Sequence, residues 1–262
     1  MLLLMKLALQ TIFVLTLAAR VFAEDPPKAP APAPPPAPAS NFPAPSPLSA
    51  ATLEKLQHLT PLFDGKTLDG WAASAKGNTP PELASVWAVK DGAMASLGAG
   101  RGVLHTKKEY AHFRLVFTMR HVSGKPDHQA CVLIFCTAPA EGVALDALAG
   151  IQFQPPNGGS WDYRPGKNNN GQGLFTRLPH PKFDPHEWSQ VELLVDASTG
   201  TARMAVAQPP GTKAYEVLAF KDPTAGHPGP IAWQMHNAGL FDEYQDVRIE
   251  TDPSEAKLLT VE

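Results

Sequence analysis

Two short segments concentrate the side chains that can do chemistry. Between residues 150 and 171 the sequence reads GIQFQPPNGGSWDYRPGKNNNG. A two-residue period puts Ile151 and Phe153 on one face and the amides Gln152 and Gln154 on the other. The Gly/Pro/Asn-rich stretch that follows is expected to be a loop over 160–168, carrying Trp161, Asp162, Tyr163, Arg164 and Lys167. The second segment, IAWQMHN at 231–237, repeats the pattern. Ile231, Trp233 and Met235 point one way, and Ala232, Gln234 and His236 the other, with Asn237 next in line.

Amides offer paired donors and acceptors, which suit the hydroxyls of a sugar. Neutral imidazole is plentiful near pH 7, so His236 is the candidate base. Arg164, Lys167 and Tyr163 can stabilise a developing oxyanion, and Asp162 can orient His236 or act as a second acid or base. Trp161 or Tyr163 can stack on a pyranose face. The 160–168 loop is expected to fold over Gln152, Gln154, Gln234 and His236 and close a sugar-sized site. Two plainer alternatives stand beside this one. Asp162 and Arg164 can simply pair and pin the loop, and the amide face can be an ordinary solvated sheet face.

Positioning these groups requires strands. FRLVFTMR alternates Phe113, Leu115, Phe117 and Met119 against Arg114, Val116, Thr118 and Arg120. QACVLIFCT is apolar on both faces, as a central strand would be. Hairpins are expected at Asp91-Gly92 and at Ser198-Thr199-Gly200, and GPIAWQMHN and YQDVRIE supply the last strands. Helical spacing is confined to SAATLEKLQHL, with Ser49 as N-cap and Leu53, Leu56 and Leu59 three apart. Short strands with Gly/Pro/Asp turns and one short N-terminal helix describe an all-β sandwich.

The chain opens with Lys6, an apolar run from Leu7 to Ala19, and Val21-Phe22-Ala23. That order predicts a signal peptide over 1–23, cleaved after Ala23, and a secreted or periplasmic protein; a retained anchor is the alternative. Residues 24–47 are dominated by Pro, Ala and Ser and predict an extended tether reaching about 70 Å. The sandwich domain is then 48–262, with no transmembrane span in the mature chain. Removing the signal peptide takes Lys6 and Arg20 away and moves the formal charge from −3 to −5. Such a charge gives no general attraction for nucleic acid or anionic lipid. Cys131 and Cys136 fall on one predicted strand, about 16 Å apart and on opposite faces, too far to bridge. The nine histidines form neither HxH nor HExxH, so no dedicated zinc site is expected. A divalent ion held by His236 with nearby carboxylates or amides stays open. Asp242, Glu243 and Asp246 are oxygen ligands for calcium or a solvated acidic turn.

LFDGKTLDGW at 62–71, with VWAVKDGAM, KKEYAHFRLVFTMR, HEWSQVELLV and the closing GPIAWQMHN and FDEYQDVRIE, resembles the DUF1080 family of 3-keto-disaccharide hydrolase or 3-keto-glucoside lyase/hydratase domains. The resemblance spans about 60–250. It implies a concanavalin/LamG-like β-sandwich (jelly roll) whose concave sheet holds the site. It also implies a carbohydrate substrate that a separate, upstream sugar-oxidising enzyme has converted to a 3-keto-glycoside. A C3 ketone acidifies the C2 hydrogen, so a base can remove it, the glycosidic oxygen leaves, and water adds to the enone. Relatives carry an acid where this chain has Gly150, which moves the carboxylate role to Asp162. A Gly-Asn-Ser-Gly stretch of the relatives is replaced by Asp127-His128-Gln129-Ala130, with His128 near the same face or in a solvent-exposed loop. A non-catalytic carbohydrate-binding module is the rival function.

Overall fold

The computed structural model describes residues 41–75, 82–124, 131–140 and 142–262. The 1–23 and 24–40 segments and His128 lie outside the described residues. Helix α1 (Ala50–Gln57) starts where expected, its N-cap Ser49 Oγ accepting from the Thr52 amide at 3.2 Å. In chain order the strands then run β1 (Thr60–Pro61), β2 (Trp71–Ala75), β3 (Trp87–Lys90), β4 (Ala93–Ser96), β5 (Gly102–Thr106) and β6 (His112–Ser123). They continue with β7 (Cys131–Ile134), β8 (Ile151–Gln154), β9 (Gly159–Asp162), β10 (Phe175–Arg177) and β11 (Ser189–Asp196). The last are β12 (Thr201–Ala207), β13 (Tyr215–Lys221), β14 (Ala232–Met235) and β15 (Phe241–Thr251), and a four-residue helix α2 (Leu83–Val86) precedes β3.

Two antiparallel sheets form a sandwich. The larger orders its strands β10-β13-β12-β11-β6-β15-β4-β3, with β1 beside β15; the smaller reads β2-β5-β14-β7-β8-β9. The Asp91-Gly92 hairpin is present between β3 and β4, and both residues have positive φ, at 49° and 80°. This suits the twist of a two-residue hairpin turn. The 198–200 turn likewise joins β11 to β12.

Alternation drives the packing. Phe113, Leu115, Phe117 and Met119 of β6 enter the space between the sheets and meet Trp233, Met235, Ile151 and Phe153. Trp233 is the hub, with its ring 5.2 Å from Trp71, 5.7 Å from Phe117 and 5.9 Å from Tyr244. Each such side chain contributes roughly 1.5–3 kcal/mol by leaving water. On the far side of the larger sheet, α1 and the C-terminal segment cover Val116, Leu194 and a fully buried Arg114. Arg114 donates to Glu250 and the carbonyls of Lys257 and Glu255, and pairs with buried Glu192.

Two expectations need correction. The central strand is shorter than QACVLIFCT suggested and stops at Ile134, because Phe135 turns the chain with φ of 50°. Cys136 therefore joins Leu133, Ala147, Leu148 and Ala232 in a small cluster outside the smaller sheet, while Cys131 lies opposite Gln234. The thiols are not on opposite faces, though both are buried and neither is in a disulfide. The second correction matters more. Residues 159–162 are not loop but strand β9, paired with β8.

Candidate functional site

The outer face of the smaller sheet carries the amides. Register places Gln152 opposite Leu133 and Trp161, and Gln154 opposite Gly159. Gln234 of β14 lies opposite Cys131 and Val103. Gln152 and Gln234 are buried, and the three amides bond in sequence. Gln154 Nε2 donates to Gln152 Oε1 at 2.6 Å, Gln152 Nε2 to Gln234 Oε1 at 2.7 Å, and Gln234 Nε2 to the Asp146 carbonyl at 2.6 Å. Each buried amide thereby meets the requirement that buried polar groups find partners. Gly159 is glycine for the same reason, since a Cβ there would collide with Gln154 Oε1.

Beside this row lies an open cavity of about 380 Å³. Gln152, Gln154, Trp161, Tyr163 and His236 line it together, so five of the ten residues singled out from sequence converge. Gln234 stands behind them. His236 Nδ1 lies 3.1 Å from Asn237 Oδ1. In the tautomer whose Nδ1 donates to that oxygen, Nε2 carries the lone pair that a base needs. Asn237 thus orients the imidazole and does not itself line the cavity. Trp161 is half-buried, held by Nε1 donation to Asn168 Oδ1 at 3.1 Å, with the Tyr163 ring 6.2 Å away. Burial pushes the Tyr163 phenol's pKa up, while its bond to Gln234 and the Arg101 charge pull it back. It remains a protonated donor near neutral pH.

Asp162, Arg164 and Lys167 do not join them. On strand β9, Trp161 and Asp162 must face opposite ways. Trp161 stays with the amides, and Asp162, opposite Ile151, turns away from them and is fully buried. Arg164 follows it, donating Nε to Asp162 Oδ1 at 3.0 Å and Nη2 to Asp162 Oδ2 at 2.7 Å. The same Nη2 lies 2.7 Å from Asp222 Oδ2, beyond the end of β13 in the other sheet. The hydrogen bond to Asp162 chiefly raises the Arg164 pKa. Burial pushes the Asp222 carboxyl up, but Arg164 and Thr224 outweigh it and hold it at about 2. This is the loop-pinning pair anticipated as the alternative, extended by Asp222 into a clasp between the sheets. Lys167 is exposed and is not among the cavity residues.

The cavity also contains residues that sequence reasoning missed, chiefly Arg101, Arg177, Asn168 and Asn170. Arg101 precedes β5, within a glycine-rich LGAGRG turn much like the 157–171 stretch, and that likeness was the available signal. Its Nε lies 2.5 Å from Asp146 Oδ2, close enough to pair though not aligned as a hydrogen bond. Asp146 therefore brings a carboxylate to the site's border. The position aligned with the relatives' acid cannot do so, because a Cβ on Gly150 would sit 2.6 Å from Cys136 Sγ. Among the described residues no three His, Cys, Asp or Glu side chains converge as a metal site. Asp242 is instead 2.8 Å from His121 Nδ1, and Glu243 pairs with Arg120 at 2.7 Å. No helix of the described residues is long and apolar enough to cross a membrane.

The family profile of the 3-keto-alpha-glucoside-1,2-lyase-like domain matches residues 58–250. No functionally curated protein matches the sequence. Among solved structures, a Parabacteroides distasonis protein provisionally called a glycosyl hydrolase superposes with a TM-score of 0.53. It is 15% identical over 80% of this chain and 100% of its own. The carbohydrate-binding module CBM66 of Bacillus subtilis gives a TM-score of 0.48 at 11% identity, over 74% of this chain and 98% of its own. At 15% identity the first of these likenesses is one of fold alone.

Proposed function

The chain belongs to the family of 3-keto-alpha-glucoside-1,2-lyase-like domains, which are carbohydrate-active, and from that premise we propose that it cleaves 3-keto-glycosides by elimination and hydration. The observation that carries this proposal is the meeting of His236, Tyr163 and Arg101 in one cavity floored by bonded glutamines. His236 Nε2 takes the C2 proton, and the electron pair moves onto the C3 oxygen as an enolate. Arg101 and the protonated Tyr163 phenol donate to that oxygen as its charge grows. The carbonyl then re-forms, a C1–C2 double bond develops, and the C1–O bond to the leaving group breaks. The imidazolium can return its proton to the departing oxygen. Water adds at C1 and a proton at C2, giving net hydrolysis. Trp161 offers its ring to a pyranose face, and Gln154 positions hydroxyls. The substrate would come from an upstream enzyme that oxidises C3.

Turnover of a 3-keto-glucoside by wild type, His236→Ala and Arg101→Ala tests the proposal. His236→Ala should abolish both product release and solvent deuterium uptake at C2. Arg101→Ala should lower kcat by about 10²-fold, as for loss of one preorganised donor, with KM less affected. Wild type that binds the sugar yet neither exchanges the C2 proton nor releases product would leave the binding module as the function. The half-exposed Trp161 beside Tyr163 is the observation that favours that second reading.

A further inference from the structure

Five arginines of the described residues are paired with carboxylates: Arg101, Arg114, Arg120, Arg164 and Arg203. Arg248 donates to the carbonyls of Gln57 and Leu59. Arg177 is held differently. Its Nη2 donates to Ser160 Oγ at 3.0 Å, and among the described residues no carboxylate meets it. It is exposed, yet it lines the cavity described above, and no Asp or Glu is among the described residues lining that cavity. Arg101 already has Asp146, so Arg177 is the uncompensated charge.

Its place in the fold is specific. Arg177 ends β10, an edge strand of the larger sheet, and reaches Ser160 on β9, an edge strand of the smaller one. His236 lies just past β14, three strands away from β9. Three interstrand steps of about 4.8 Å separate the base from the Arg177 side by roughly 14 Å. A disaccharide bridges such a span and a single ring does not. A guanidinium fork with free donors matches a planar carboxylate best. Resting on the proposed function, we infer that the substrate carries a carboxylate, as a sugar acid, on the unit next to the oxidised ring, and that Arg177 receives it. Asn168 and Asn170 flank that end with amide donors.

Calorimetric binding of unoxidised probes tests this without requiring 3-keto chemistry. Cellobionate and an aldobiouronic acid are compared with cellobiose, on wild type, Arg177→Gln and Arg177→Lys. Wild type should hold one of the acids at least ~10-fold tighter than cellobiose, as expected for a charge-assisted contact. The gap should narrow with added salt. Arg177→Gln should erase it, weakening the acid far more than cellobiose, and Arg177→Lys should retain part of it. Whichever acid is preferred places the carboxylate on an aldonate end or on a uronate ring. Equal binding of acid and neutral sugars overturns the inference, as does no measurable binding of either acid, or a loss in Arg177→Gln shared by all three sugars. Tighter binding of cellobiose 6-phosphate than of either acid also overturns it, by reassigning the anion. If neutral 3-keto-glycosides are cleaved but the acid preference is absent, only this inference fails. If the preference holds without any cleavage, only the proposed reaction fails.

Discussion

Replacing Arg164 with alanine should damage the fold and spare the chemistry. In the structure the guanidinium makes a two-pronged contact with Asp162, a carboxylate with no exposure, and ties it to Asp222 in the opposite sheet. Without Arg164's side chain, Asp162 Oδ1 keeps the backbone N–H of residue 164, now at 3.0 Å, and little else. Stranding one partner of a buried ion pair costs about 3–5 kcal/mol. The surviving N–H argues for the lower end, near ~3 kcal/mol. For a domain of this size, ~1 kcal/mol moves Tm by ~2–4 °C, so Arg164→Ala should melt roughly 6–12 °C below wild type. Differential scanning calorimetry at pH 7 reads this, with turnover measured well below both transitions. Lys167→Ala, at an exposed position in the same turn, is the control and should stay within about 0.5 kcal/mol of wild type. Acid supplies a further check. The Asp222 carboxyl sits at about 2, below its unfolded value, so its share of stability is complete above ~pH 4 and disappears as pH falls towards 2. The deficit of Arg164→Ala should shrink over that window. A variant with wild-type Tm, or one that keeps its Tm and loses ~10²-fold in turnover, refutes the structural role and returns Arg164 to the chemistry.

Gln152→Ala removes the middle of the glutamine row and leaves Gln234 Oε1 and Gln154 Nε2 without their partners. A stability loss of about 2–3 kcal/mol is expected by urea titration, together with weaker sugar binding; an unchanged midpoint would show that the row is not bonded as described. Mass spectrometry after alkylation in denaturant without reductant should find both Cys131 and Cys136 labelled, whereas the native protein should resist labelling because burial raises both thiol pKa values. N-terminal sequencing of exported protein should begin at Glu24; a start far from there, or retention inside the cell, would contradict the signal-peptide assignment.

What sequence made legible was local. Period two assigned Gln152, Gln154 and Gln234 to one face, turn chemistry located the Asp91-Gly92 hairpin, and Ser49 announced α1. The miss at Asp162 came from composition. GGSWDYRPG is dense in turn formers, yet pairing with β8 overrides that propensity, and the two-residue period then separates Trp161 from Asp162. Arg101 and Arg177 were hidden for another reason. They reach the cavity only because β14 lies between β5 and β7, and because β10 at the edge of one sheet leans towards β9 at the edge of the other. Neither adjacency has a signature within a short stretch of chain.

The bonded glutamines have a direction. Every amide nitrogen in the row points from Gln154 towards the Asp146 carbonyl, and that carbonyl can only accept. Turning any one amide over would set oxygen against oxygen and nitrogen against nitrogen, so all three are locked in one sense. The atom that ends the row on the cavity side is therefore the oxygen of Gln154. A ligand group meeting it has to bring a hydrogen: a hydroxyl serves, whereas a fluorine, an ether or a ketone placed there finds only a lone pair facing its own. Polarity set deep in the sheet thus becomes a filter at its surface, one that tells a sugar alcohol from its oxidised or alkylated counterpart without any charged residue taking part.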